Sequence, residues 1–382
     1  MYIEPSKKQK SGLPIYISLI AMLAILIGQP WQNSMLISIG TWTIIFSVTL
    51  SFLVSLSWKI KAKHLFLLLF LLCISLFSML ASGAISYRSI VAALCFIELP
   101  MGLFYTDDRV KTKVCKAVYL VFYALSFYHI YLRFTNLAFL YRTEENSVLI
   151  EGLTLGYPNP NQTGMFLMVT FFILASGICF FRSKLIKLLF LLNSLFIAYL
   201  ILETSSRVCI ILLIAFVLSF VFQKRIKIKP WLIKVSFISP IVFLAFIMFF
   251  ESIYEGWSIL GDSFETGRFG LYSEAFNAVG AKNYLFGNFA AISFQNTHNA
   301  YLSIFGTVGI VGLVVFVTFL YFKFRDISFL VKMNHQKIAY IGLLLLLVHS
   351  SVEAAFFTSG SVYAVLVISL SCLSVAGSSG GQ

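Results

Sequence analysis

The run Asn296-Thr297-His298-Asn299-Ala300-Tyr301-Leu302 sets one imidazole among amides and hydroxyls, just before an apolar stretch that passes Gly306, Gly309 and Gly312 into residues 314–320. A neutral imidazole placed there can take a proton from a hydroxyl. Asn296 or Thr297 can cap the helix that follows, and His298 then falls in its first turn. Unpaired backbone N–H groups in that turn attract anions and disfavour imidazolium. The bland alternative is that these residues only finish a helix end at a membrane boundary. Two other stretches repeat the pattern. Tyr157-Pro158-Asn159-Pro160-Asn161-Gln162-Thr163-Gly164 opens an apolar run, with prolines directing the chain and Asn159 or Asn161 able to cap. Glu203-Thr204-Ser205-Ser206-Arg207 puts an arginine in the first turn of another. Arg268, in Glu265-Thr266-Gly267-Arg268-Phe269-Gly270, stands between glycines that let backbone approach a ligand. Two guanidinium forks suit a diphosphate, since each binds two oxygens at once. An arginine at the end of a span otherwise snorkels to headgroups.

These residues must be held by membrane helices. The 382 residues are 59% hydrophobic and 11% charged, with mean hydropathy +0.92, against roughly 25% charged in a soluble domain. The expected class is an all-α polytopic membrane protein. Apolar runs long enough to span lie at 13–29, 35–57, 64–82, 88–106, 114–134, 161–181, 185–202, 206–222, 231–250, 298–322, 336–353 and 358–376, about twelve transmembrane helices. Every second joint is basic: Lys7, Lys8 and Lys10; Lys59, Lys61 and Lys63; Arg109, Lys111, Lys113 and Lys116; Arg182, Lys184 and Lys187; Lys224 to Lys234; Lys323, Arg325, Lys332 and Lys337. The positive-inside rule then places both termini in the cytoplasm. The net charge of +13 thus reports orientation and gives no reason to expect nucleic acid as a partner. Only Arg88, Arg133, Arg142, Arg207, Arg268 and Lys282 remain outside.

The expected organisation is helices 1–5 over 1–135, an extracytoplasmic segment over 136–160, helices 6–9 over 161–250, a large extracytoplasmic loop over 251–297, helices 10–12 over 298–376, and a flexible tail over 377–382. The first span is read as uncleaved, because no small-residue cleavage site follows it. Spans six, eight and ten all run from outside to inside, so their polar starts face the same side. If they converge, their N–H groups add to Arg207 in an outward anion site.

Other candidates carry less. Glu98 is an intramembrane carboxylate and reads as a structural partner or cavity lining, with a proton relay as the alternative. His349 and Glu353 share a helical face and could form a metal half-site but lack a third ligand, so packing or support of the cavity is the better account. Asp107 and Asp108 sit among lysines on the cytoplasmic side. The six cysteines form no C-x-x-C pair and indicate neither disulfide nor metal site.

Together, Asn159-Pro160-Asn161 with Gly164, Ser205-Ser206-Arg207, Gly267-Arg268 with Leu285-Phe286-Gly287, and His298-Asn299-Ala300-Tyr301-Leu302 with Gly309-Ile310-Val311-Gly312 resemble the O-antigen polymerase and O-antigen ligase superfamily. The resemblance covers residues 155–355; the first five spans match only in number and topology. It implies a GT-C-like glycosyltransferase architecture in the bacterial cytoplasmic membrane and an inverting transfer of glycan from undecaprenyl diphosphate, with no metal or other cofactor. By position, Arg207 and Arg268 would hold the diphosphate and His298 would be the general base. Asn299, Tyr301, Asn159 and Asn161 would line the substrate site. The implied partners are an undecaprenyl-diphosphate-linked oligosaccharide, membrane lipid, a chain-length regulator and a flippase. Polymerisation onto the next lipid-linked repeat unit, for O-antigen, capsule or exopolysaccharide, is the expected activity. Ligase-like transfer to a different acceptor, or transport of a lipid-linked oligosaccharide, is the alternative.

Overall fold

Runs of about twenty apolar residues bury their backbone polar groups most simply as helices, and helices dominate this chain. The computed structural model describes residues 13–31, 33–55, 66, 69–70, 73–74, 76–77, 80, 108–136, 138–139, 152–157, 159–223, 228, 230–249, 258–259, 262–263, 268–288, 299–351, 369–370 and 372–374. Among them the helices are α1 (Leu13–Gly28), α2 (Ser34–Ser55), α3 (Asp108–Arg133), α4 (Pro160–Phe180), α5 (Lys184–Glu203), α6 (Arg207–Val221), α7 (Pro230–Phe249), α8 (Arg268–Val279), α9 (Ala300–Ser328) and α10 (Asn334–His349). One antiparallel pair, β1 (Ser258–Ile259) with β2 (Asp262–Ser263), is the only strand structure among the described residues.

Nine of the expected spans fall on these helices. The run at 88–106, with Glu98, lies outside the described residues, and those at 64–82 and 358–376 are described only in short helical stretches. Among the described residues, four helices are long and apolar enough to cross a membrane: Val110–Arg133 within α3, Pro160–Phe180, Lys184–Glu203 and Ala300–Ser328. Two of them run past the expected boundaries. Helix α3 begins at Asp108 and takes in Lys111, Lys113 and Lys116, while α9 continues through Lys323 and Arg325. Hydropathy marks where apolar side chains stop, whereas a helix continues as long as its backbone bonds close.

Helix α4 is the axis of the packing. Of its most apolar window 83% is buried, against 33% in α5, and α3, α5, α6 and α10 all lie against it. Small residues permit the close approaches, as expected where helices associate without a hydrophobic drive from water. A Cβ at Gly164 would lie 2.9 Å from Cys209 Sγ of α6. The segment before α4 packs down as well: Leu153, Leu155 and Tyr157 are fully buried. Tyr157 stacks on Phe166, its hydroxyl lies 2.9 Å from His129 Nε2, and burial pushes its phenol above the ordinary range.

Candidate functional site

The start of α9 is built by Asn299 and not by the expected Asn296 or Thr297, so the helix begins at Ala300 and His298 precedes it in sequence instead of falling in its first turn. The extended backbone of Asn299 (φ −145°, ψ 116°) ends the preceding chain, and its Oδ1 accepts the Leu302 N–H at 3.0 Å. Its Nδ2 donates to the Ser351 carbonyl at 2.7 Å, just past the end of α10. The Ala300 N–H donates to the Ser350 carbonyl at 2.9 Å. From α8, the Tyr272 hydroxyl reaches the same Ser351 carbonyl at 3.3 Å. The positive end of α9 is therefore stitched to the negative end of α10, and much of its N–H capacity is used inside the protein. Tyr301 follows, buried. Its hydroxyl makes no hydrogen bond of normal geometry among the described residues.

With both polar ends engaged and the residue fully buried, Asn299 is a clamp between two helices. Asn299→Asp keeps the capping oxygen but turns a carboxylate toward the Ser351 carbonyl. It is expected to lower stability by about 2–3 kcal/mol, more than Asn299→Ala at about 1–2 kcal/mol. Thermal unfolding in detergent ranks the two, and the reverse order would mean that Asn299 has no such clamp.

Helix α6 starts differently. Thr204 closes α5, Ser205 takes a left-handed conformation (φ 55°), and Thr204 Oγ1 accepts the Ser206 N–H at 3.3 Å. This tight reversal has room because Gly152 lies against the Thr204 carbonyl and Gly164 against its side chain. Ser206 occupies the cap position of α6 yet makes no side-chain cap bond. It is 3% exposed, and its Oγ has no partner among the described residues. One turn on, Cys209 Sγ lies 3.5 Å from His349 Nε2 of α10 and 4.0 Å from the Asn161 carbonyl of α4. Helix α4 is closed by Asn159, whose Oδ1 accepts the Gln162 N–H at 2.8 Å; Asn159 and Asn161 are both half-buried.

The three polar starts thus meet around the end of α10: α4 through Asn161, α6 through Cys209, α9 through Asn299. His349 is part of this junction, against Cys209; Glu353 lies outside the described residues. Helix α8 joins through Tyr272, one turn after Arg268, the residue at which α8 begins. His298 lies outside the described residues. Arg207 is exposed and shares its face of α6 with Ile211, Ile214 and Leu218, all more than half exposed, while Cys209, Leu212, Leu213 and Phe216 are buried on the other side. Arg207 therefore lies on the outer side of α6, away from His349. Arg133 is committed elsewhere: its Nε and Nη2 donate to Glu203 at 2.7 and 2.9 Å, and Tyr199 donates to the same carboxylate.

The loop that carries Arg268 is anchored by a break in α9. Gly309 is non-helical there (φ 69°, ψ −173°). The freed N–H groups of Ile310 and Val311 donate to the Tyr284 and Leu285 carbonyls at 2.8 and 3.3 Å, and the Asn288 N–H donates to the Gly306 carbonyl at 2.7 Å. Gly287, also at positive φ, lies directly against the Thr307 backbone. Phe276 of α8 stacks on Phe305 and tilts against Tyr284. The last part of the expected extracytoplasmic loop is thereby laced into a helix long enough to cross a membrane, with no side-chain motif to announce it. No family model, curated protein or solved structure matches this chain.

Proposed function

We propose that this protein is a polysaccharide polymerase of the bacterial cytoplasmic membrane, with a GT-C-like fold of about twelve spans. It moves a growing glycan from undecaprenyl diphosphate to the next lipid-linked repeat unit at the outer face. The acceptor hydroxyl oxygen bonds to the anomeric carbon from the side opposite the diphosphate. The bond from that carbon to the diphosphate oxygen breaks, with inversion. The hydroxyl proton passes to His298, and undecaprenyl diphosphate departs with the electron pair. Arg207 and Arg268 hold the charge that grows on the leaving phosphate, a task that guanidinium performs without a metal.

The observation that carries this reading is the meeting of the three polar helix starts, Asn161, Cys209 and Asn299, around one end of α10, with the Arg268 helix tied to the same carbonyl by Tyr272. A transferase needs donor and acceptor groups brought to one point; the junction gathers the three helix starts and the His349 imidazole, with Arg207 on the outer, lipid-facing side of α6.

Purified protein in lipid vesicles, given an undecaprenyl-diphosphate-linked repeat unit, is expected to form a ladder of products on a gel. Arg268→Ala is expected to slow ladder formation by at least about tenfold. Transfer of glycan to a different acceptor without a ladder would replace the polymerase by a ligase, and movement of substrate across the bilayer alone would replace it by a carrier.

A further inference from the structure

The bonds between residues 284–288 and the break in α9 fix how deep that segment sits. Residues 300–322 of α9 carry no charge and have about the length of a hydrocarbon core, while Lys323, Arg325 and Asp326 mark the far end. Ile310 follows Ala300 by ten positions, a descent of about 15 Å at the helical rise. Gly306 lies about 9 Å down by the same rise. Because Ile310 and Val311 bond to Tyr284 and Leu285, and Gly306 accepts from Asn288, the segment lies alongside α9 between those depths. A second ruler agrees. The rings of Phe286 and Phe77 meet edge to face with centroids 5.5 Å apart, and Ile74 lies 3.4 Å from where a Cβ at Gly312 would stand. Phe77 and Ile74 fall five and eight positions before the end of the apolar run 64–82, about 8 and 12 Å from that end.

The chain reaches this depth through α8. Tyr272 is level with the end of α10, and Phe276, one turn on, stacks on Phe305 of α9. Gly280, at φ 74°, then ends α8, and a tight turn over Ala281–Asn283 sends the chain back up along α9. The exposed side chains change character at that turn. Up to it Glu274, Asn277 and Lys282 are exposed and polar; after it Leu285 and Phe286 are 58% and 44% exposed. Ile310, at the same level of α9, and Val314, one turn further, are exposed as well. One side of the hairpin thus suits water and the other hydrocarbon.

We propose that α8 and residues 280–288 form a re-entrant hairpin in the leaflet around the start of α9, with Leu285 and Phe286 against phospholipid acyl chains and Glu274 and Asn277 facing water. Backbone that is neither helix nor closed sheet is tolerated at such depth where its groups are bonded within the protein, and the bonds to α9 meet that condition. The four-carbon stem of Lys282 lets its ammonium leave the turn for polar surroundings. The stretch 268–288, apolar too briefly to read as a span, is then part of the membrane body and walls water from lipid.

The test is photo-crosslinking to lipid. Full-length protein carrying p-benzoylphenylalanine at one exposed position is irradiated in nanodiscs of phosphatidylcholine with radiolabelled acyl chains, and the label on the protein is counted. Position 285 is expected to take up label within about twofold of position 314, and position 277 at least about fivefold less, as for side chains in hydrocarbon and in water. As a second measurement, Leu285→Asp is expected to lower the unfolding midpoint in the same nanodiscs by about 5 °C or more, because its carboxylate would stand in hydrocarbon. Asn277→Asp is expected to shift it by no more than about 1 °C. Label at 285 as low as at 277 would put the segment in water and overturn the proposal. Label at 277 as high as at 285 would deny the hairpin its wet side and overturn it too, and so would an unchanged midpoint in Leu285→Asp.

Discussion

His298→Ala is expected to lower glycan transfer by about 10²- to 10⁴-fold, the usual contribution of a positioned general base. The departing group in the proposed reaction is a diphosphate that needs no proton, so the one proton to be moved is that of the acceptor hydroxyl. His298 precedes Asn299, the clamp that joins α9 to α10, and belongs to the one helix start of the three that brings an imidazole in sequence. Lipid-donor binding is expected to stay within about twofold of the unaltered protein, because the base acts on the other substrate. Comparing transfer rates with donor binding in the same vesicles separates the two effects. A variant that transfers at the full rate would remove His298 from the chemistry and turn attention to His349, the imidazole held against Cys209.

Gly309→Ala is expected to destabilise the protein by roughly 3–5 kcal/mol, combining backbone strain with collision. At φ 69° and ψ −173° the residue occupies a region that glycine alone adopts readily. An added Cβ would also meet the Leu285 carbonyl directly. Gly280 supplies the comparison. It too has positive φ, 74°, but the nearest atom to an added Cβ is Asn283 Nδ2 at 3.9 Å, so Gly280→Ala is expected to cost only about 1–2 kcal/mol. Thermal unfolding midpoints in one detergent, with protease cleavage between α7 and α9 as a second readout, test the difference. Equal loss in the two variants would show that the segment 284–288 does not hold α9 together.

The helices were legible because long apolar runs leave a lipid-facing chain few other ways to satisfy its backbone. One cap was legible: Asn159, one of two candidates, bonds the Gln162 N–H. The other was misplaced: Asn296 or Thr297 was expected to cap α9, but Asn299 does so, because its side chain reaches the Leu302 N–H, and His298 then precedes the helix in sequence. The facing of Arg207 was not legible. Along α6 both the buried residues, Cys209, Leu212 and Phe216, and the exposed ones, Ile211, Ile214 and Leu218, are apolar. Hydrophobic periodicity has nothing to distinguish when lipid and protein are equally oily. The Arg133–Glu203 pair spans 70 positions and has no local signal. The break in α9 was hidden for another reason. Gly309 and Gly312 in an apolar run read as packing residues, and the partner of the break is backbone, which carries no residue type to recognise.

That break bears on how the protein is made. The segment 284–288 leaves the ribosome before α9, yet α9 cannot complete its hydrogen bonding at Ile310 and Val311 until Tyr284 and Leu285 have come alongside. In hydrocarbon an unmet N–H is unfavourable by several kcal/mol, so closure of 284–288 against α9 stabilises the helix in the bilayer. Insertion of this helix and closure of the loop against it are therefore expected to be coupled.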